Sequence, residues 1–148
     1  MAVLVFIGIV VIAASSGAIF KPGEWYEGLR KPAWTPPNWV FPVVWTLLYA
    51  AIIYAGWRVW TLSGWSLPMA FWGLQIIVNA LWSWMFFGLR RMRLALADVL
   101  MLWASILGFI VTSWPVSEVA ALLFLPYLLW VTIAAFLNYT VIRLNSRS

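Results

Sequence analysis

Tyr127, Trp130, Ala134 and Asn138 recur at intervals of three and four residues in a stretch with almost no charge. At about 100° per residue they occupy roughly an 80° arc of one helix. Gln75, Asn79, Trp82 and Phe86 occupy a similar arc of a second apolar stretch, and Phe41, Trp45 and Tyr49 of a third. Each arc joins flat aromatic faces to an amide or a phenol. Such a set does not activate a nucleophile. It stacks on a planar apolar molecule and offers it a few hydrogen bonds. The chain has no cysteine and no histidine, which removes disulfides, thiol nucleophiles, Cys/His zinc sites and Ser–His catalysis. No cofactor and no metal is required by what remains.

The elements that carry these arcs must lie in a membrane. Of 148 residues, 66% are hydrophobic and 9% charged, against about 25% charged in a soluble domain. The expectation is an all-α fold, a single domain over residues 1–148, built as an integral membrane bundle of five transmembrane helices near 2–20, 39–60, 67–88, 93–113 and 118–143. The first apolar run has no basic residue before it, so it reads as a membrane helix rather than a cleaved signal. Ala13 and Gly17 give it a small-residue face. Ser66 is placed to cap the third helix with Pro68 in its first turn, and Ser117 to cap the fifth. Pro126 lies inside the fifth helix and predicts a kink.

The basic residues orient the bundle. With five spans, Lys21, Arg30, Lys31, Arg90, Arg91, Arg93, Arg143 and Arg147 fall on one side and Arg58 alone on the other. The positive-inside rule places the first connection and the C-terminus in the cytoplasm. A net charge of +5 scattered in this way is no nucleic-acid footprint.

Polar groups inside a bilayer are expensive and turn inward. Three inward arcs around one centre make either a Trp-walled cavity or a set of ordinary interhelical hydrogen bonds, and periodicity does not separate the two. Residues 21–38 are the natural lid. Four prolines (Pro32, Pro36, Pro37, Pro42) within eleven positions, interleaved with Trp34 and Trp39, stiffen the loop. Of the thirteen tryptophans, Trp25, Trp39, Trp57, Trp60, Trp65 and Trp114 suit an interfacial belt, while Trp45, Trp72, Trp82, Trp103 and Trp130 lie deeper. Asp98, about one turn into the fourth helix, either pairs with Arg90, Arg91 or Arg143 or serves in chemistry.

Four segments then carry a resemblance: WYEGLRKPAWTPPNWVFPVVWTLLY (25–49), NALWSWMFFG (79–88), the Asp98 position, and PYLLWVTIAAFLNYTVIRLN (126–145). In order and spacing they resemble the TspO/translocator protein family, the tryptophan-rich sensory proteins whose animal members were called the peripheral benzodiazepine receptor. The resemblance implies a bundle, usually a homodimer, that binds hydrophobic ligands: porphyrins such as protoporphyrin IX, sterols and isoquinoline carboxamides. By motif its pocket falls on Tyr26, Trp34, Trp45, Asn79, Trp82, Trp130 and Ala134, beside the inward Tyr49, Tyr127 and Asn138. Leu137, Tyr139 and Arg143 fit the family's sterol pattern. Some members are reported to degrade protoporphyrin in light, which would place Trp34 and Trp130 at the reacting ligand. A receptor or sensor in a bacterial membrane, with lipid and a hydrophobic small molecule as partners, is thus the main expectation. A light-dependent porphyrin-degrading enzyme and a porphyrin or lipid transporter are the alternatives. Ala97, Ala104 and Gly108 on the fourth helix and Ala70 and Gly73 on the third are rival small-residue stripes for a dimer face.

Overall fold

The computed structural model describes residues 2–19, 39–85 and 91–145. Among them the chain forms five helices and no strand: α1 (Ala2–Ile19), α2 (Val40–Ser63), α3 (Leu67–Ser83), α4 (Met92–Ser113) and α5 (Glu118–Asn145). Uninterrupted apolar sequence favours helices because they satisfy every backbone polar group internally, as a bilayer demands. Three are long and apolar enough to cross a membrane: Pro42–Ser63 within α2, Met92–Ser113 and Glu118–Asn145. The described parts of α1 and α3 are apolar but shorter.

The helices close into a ring. α1 packs on α2 and α3, α3 on α4, α4 on α5, and α5 back on α2. Large apolar side chains cover the outside, Ile12, Val111 and Leu129 among them, as a lipid-facing surface requires. The centre is filled by Ile52, Phe109, Phe124 and Tyr127, all fully buried. Two glycines set the closest approaches. A Cβ on Gly56 would lie 2.5 Å from the Trp72 ring, whose Nε1 donates to the Ile52 carbonyl at 3.0 Å. A Cβ on Gly108 would lie 2.5 Å from the Phe71 ring. Gly108 is therefore taken up by packing between α3 and α4. The Gly73 position has nothing within 4 Å.

Several expected boundaries shift. α2 runs to Ser63 rather than 60, because Thr61 and Ser63 return their hydroxyls to the Trp57 and Val59 carbonyls and so fit within the helix. Gly64, at φ 55°, ends it with its N–H on the Trp60 carbonyl at 2.8 Å. Ser66 precedes α3 but does not cap it through its side chain; its hydroxyl pairs with Ser63 Oγ at 2.9 Å instead. Ser117 does cap α5, accepting the Ala120 N–H at 3.3 Å, and the Arg58 Nε donates to the same oxygen at 3.4 Å. α5 continues to Asn145 and carries Pro126 inside it. The expected lid over 21–38 and the end of the third helix near residue 88 lie outside the described residues.

Candidate functional site

The three arcs meet at Tyr127. Its hydroxyl, fully buried on α5, accepts from Asn79 Nδ2 at 2.7 Å and donates to Gln75 Oε1 at 2.8 Å. Gln75 and Asn79 are one turn apart on α3, so one phenol serves both. Asn79 Oδ1 in turn accepts from the Tyr49 hydroxyl of α2 at 3.4 Å. A single polar chain thus joins α2, α3 and α5 at the middle of the bundle.

Aromatic rings enclose it. Trp45 stacks on Tyr49 one turn away, with centroids 5.5 Å apart, and meets Tyr127 edge-on at 6.2 Å. Phe124 meets Tyr127 edge-on at 5.3 Å and stacks on Phe109 at 4.1 Å, which gives the polar chain an apolar floor. One to three turns further along α5 lie Trp130, buried, then Ala134, half-buried, and Asn138, buried. Asn138 Oδ1 accepts from Trp82 Nε1 at 3.2 Å, and its Nδ2 donates to the Met92 carbonyl at 2.9 Å. This second polar link ties α3, α4 and α5 together.

Among the expected site residues, Trp45, Tyr49, Asn79, Trp82, Tyr127 and Asn138 are brought into these two linked groups, with Trp130 and Ala134 on the same face of α5. Tyr26 and Trp34 lie outside the described residues, as does the side chain of Phe41. The three positions of the sterol pattern do not share a face. Leu137 is buried in a small cluster with Ala95 and Val141, whereas Tyr139 is exposed and carries the Arg143 guanidinium 5.9 Å above its ring. Two of the deep tryptophans have other work. Trp72 is held against α2 by the Ile52 carbonyl, and Trp103 Nε1 donates to Thr132 Oγ1 at 2.9 Å between α4 and α5.

Two buried atoms stand apart. Among the described residues, Gln75 Nε2 and Asp98 Oδ2 have no hydrogen-bond partner. The pairing of Asp98 with an arginine is not observed among the described residues: the carboxyl is turned inward on α4 while Arg91 and Arg143 are exposed. The position of Asp98, about one turn into α4 on the basic side of the bundle, underlies the expectation of a pair; Arg90, the third expected partner, lies outside the described residues. Among the described residues no three His, Cys, Asp or Glu side chains come together as a metal site. The arrangement offers stacking faces and buried donors and acceptors.

Comparison with known proteins gives a consistent picture. A family model described as the TspO/MBR family matches residues 2–144. The chain is 44% identical over 137 residues to "Protein CrtK" of Rhodobacter capsulatus, covering 90% of this chain and 86% of that protein. It is 42% identical over 142 residues to the "Tryptophan-rich sensory protein" of Cereibacter sphaeroides, covering 96% and 90%. To the human "Translocator protein" it is 39% identical over 137 residues, covering 87% and 81%.

Proposed function

The chain belongs to the TspO/MBR family, and from that premise we propose that it is a membrane receptor or sensor that binds porphyrins such as protoporphyrin IX. It is an integral membrane protein, with three helices able to cross a bilayer. In our reading α1 and α3 cross as well, the first connection and the C-terminus face the cytoplasm, and two copies associate.

The observation that carries the reading is the convergence of Trp45, Tyr49, Asn79 and Tyr127 from three helices on one interior region. A tetrapyrrole would stack on the Trp and Tyr faces, each contact contributing on the order of 1 kcal/mol beyond burial. Asn79 and Asn138 would meet its polar edge, and Ala134 would leave room between Trp130 and Asn138. Tyr26 and Trp34, from the connection over 21–38, would close the site. Tyr139 and Arg143, on the outside of α5, would meet lipid or a sterol rather than this interior ligand.

Titration of the detergent-purified protein with protoporphyrin IX in the dark, read by Trp fluorescence, tests the proposal. Saturable quenching at micromolar porphyrin that weakens in Trp130→Phe, with the porphyrin spectrum unchanged, is the expected result. Bleaching of the bound porphyrin to a new chromophore under light would move the assignment to a degrading enzyme. Ligand movement across sealed vesicles would move it to a transporter. Absence of saturable quenching refutes porphyrin binding.

A further inference from the structure

Asp98 is the only aspartate in the chain. It is 8% exposed and lies on the buried face of α4 beside Ala95, Val99 and Leu102. Its Oδ2 has no hydrogen-bond partner among the described residues. A carboxyl inside a bilayer-spanning bundle is costly, and more so with one oxygen unmet. A leucine would fill the position without that cost.

The register of the helices says what Asp98 faces. Met92 is linked to Asn138, and Trp103 to Thr132, so α4 and α5 run antiparallel. Asp98 lies between these two links along α4, and the stretch of α5 between them contains Ala134. On α3, the contact of Phe71 with Gly108 sets a second antiparallel register, which brings Asp98 to the Trp82 end of that helix. It therefore lies level with Ala134 on α5 and with Trp82 on α3, two residues of the candidate site.

We propose that Asp98 is a binding residue of this site, whose unpaired Oδ2 accepts a hydrogen bond from an N–H or O–H donor on the bound porphyrin. The inference rests on the porphyrin-binding reading above and adds a polar side chain from α4, the helix that otherwise gives the site the Phe109 ring and the Met92 carbonyl. Such an anchor would discriminate between ligands of equal apolar area according to whether they carry a donor, since a charged or polar site group left unmet costs more than a hydrogen bond gains.

Because the chain has one aspartate, labelling that amino acid with carbon-13 at the side-chain carboxyl places a single probe at Asp98. The labelled protein in lipid nanodiscs is titrated with protoporphyrin IX, and the carboxyl resonance and Trp quenching are followed in the same sample. The resonance is expected to move saturably with the quenching, the porphyrin ring current and the new hydrogen bond both contributing. Asp98→Leu should weaken binding by about tenfold or more, as loss of a hydrogen bond to a charged or polar anchor implies. Asp98→Asn, which keeps an acceptor oxygen, should lose less. Quenching that saturates while the resonance stays in place overturns the role of Asp98 alone and leaves porphyrin binding standing. So does an Asp98→Leu protein that binds as the wild type does. If wild-type quenching never saturates, the porphyrin reading fails and this inference falls with it. The labelled wild type reports the outcome even if Asp98→Leu does not fold.

Discussion

Replacing Tyr127 by Phe removes one oxygen and leaves every ring contact in place. That oxygen is the acceptor for Asn79 Nδ2 at 2.7 Å and the donor to Gln75 Oε1 at 2.8 Å, inside a fully buried residue. Asn79 keeps its contact with Tyr49 through Oδ1, but its Nδ2 loses its acceptor. Gln75, whose Nε2 is already without a partner, loses its remaining side-chain bond. Interhelical hydrogen bonds in membranes average about 0.6 kcal/mol and reach about 1.7, because unfolded helices in lipid also find partners. Two such bonds, whose mutational cost already contains that of the groups left orphaned, place the loss at roughly 1.2–3.4 kcal/mol. The assay is unfolding by increasing SDS in mixed micelles, followed by far-ultraviolet circular dichroism. Tyr49→Phe is the control: its bond to Asn79 is long at 3.4 Å and only partly buried, so its cost should be under about 0.5 kcal/mol. In the Gln75→Leu background, which has no orphaned amide, Tyr127→Phe should cost less by about 0.5 kcal/mol or more. The reasoning is refuted if Tyr127→Phe and Tyr49→Phe cost the same, or if Gln75→Leu gives no relief.

Two further substitutions test the packing that holds the site. Gly56→Ala drives a methyl to 2.5 Å from the Trp72 ring, which its bond to the Ile52 carbonyl prevents from swinging away; a loss of about 1–3 kcal/mol is expected in the same unfolding assay. Gly73→Ala, with nothing within 4 Å of the new atom, should be neutral or raise stability by up to about 1 kcal/mol. Ser117→Ala removes the cap of α5 and the acceptor for Arg58, and should cost about 1 kcal/mol, which Ser117→Asp recovers.

The sequence by itself determined that this chain is an all-helical membrane bundle and which faces turn inward. The scarcity of charge demands a bilayer. The three- and four-residue spacing of Tyr127, Trp130, Ala134 and Asn138, and of Gln75, Asn79 and Trp82, gives each side chain its direction around a helix axis. Polar groups cannot face lipid, so those directions alone point to the interior. Periodicity carries no information on how far one helix slides along another, and hydrogen bonds near 3 Å depend on that register. Tertiary structure therefore decided that the Tyr127 hydroxyl sits between Asn79 and Gln75, and that Asn138 takes Trp82. It also decided that Trp72 packs against α2 at Gly56. Asp98 shows the difference most sharply. In sequence it stands near basic helix ends that invite an ion pair. In the bundle, packing on the buried face of α4 turns its carboxyl inward, away from the exposed Arg91 and Arg143, and leaves Oδ2 with no partner among the described residues.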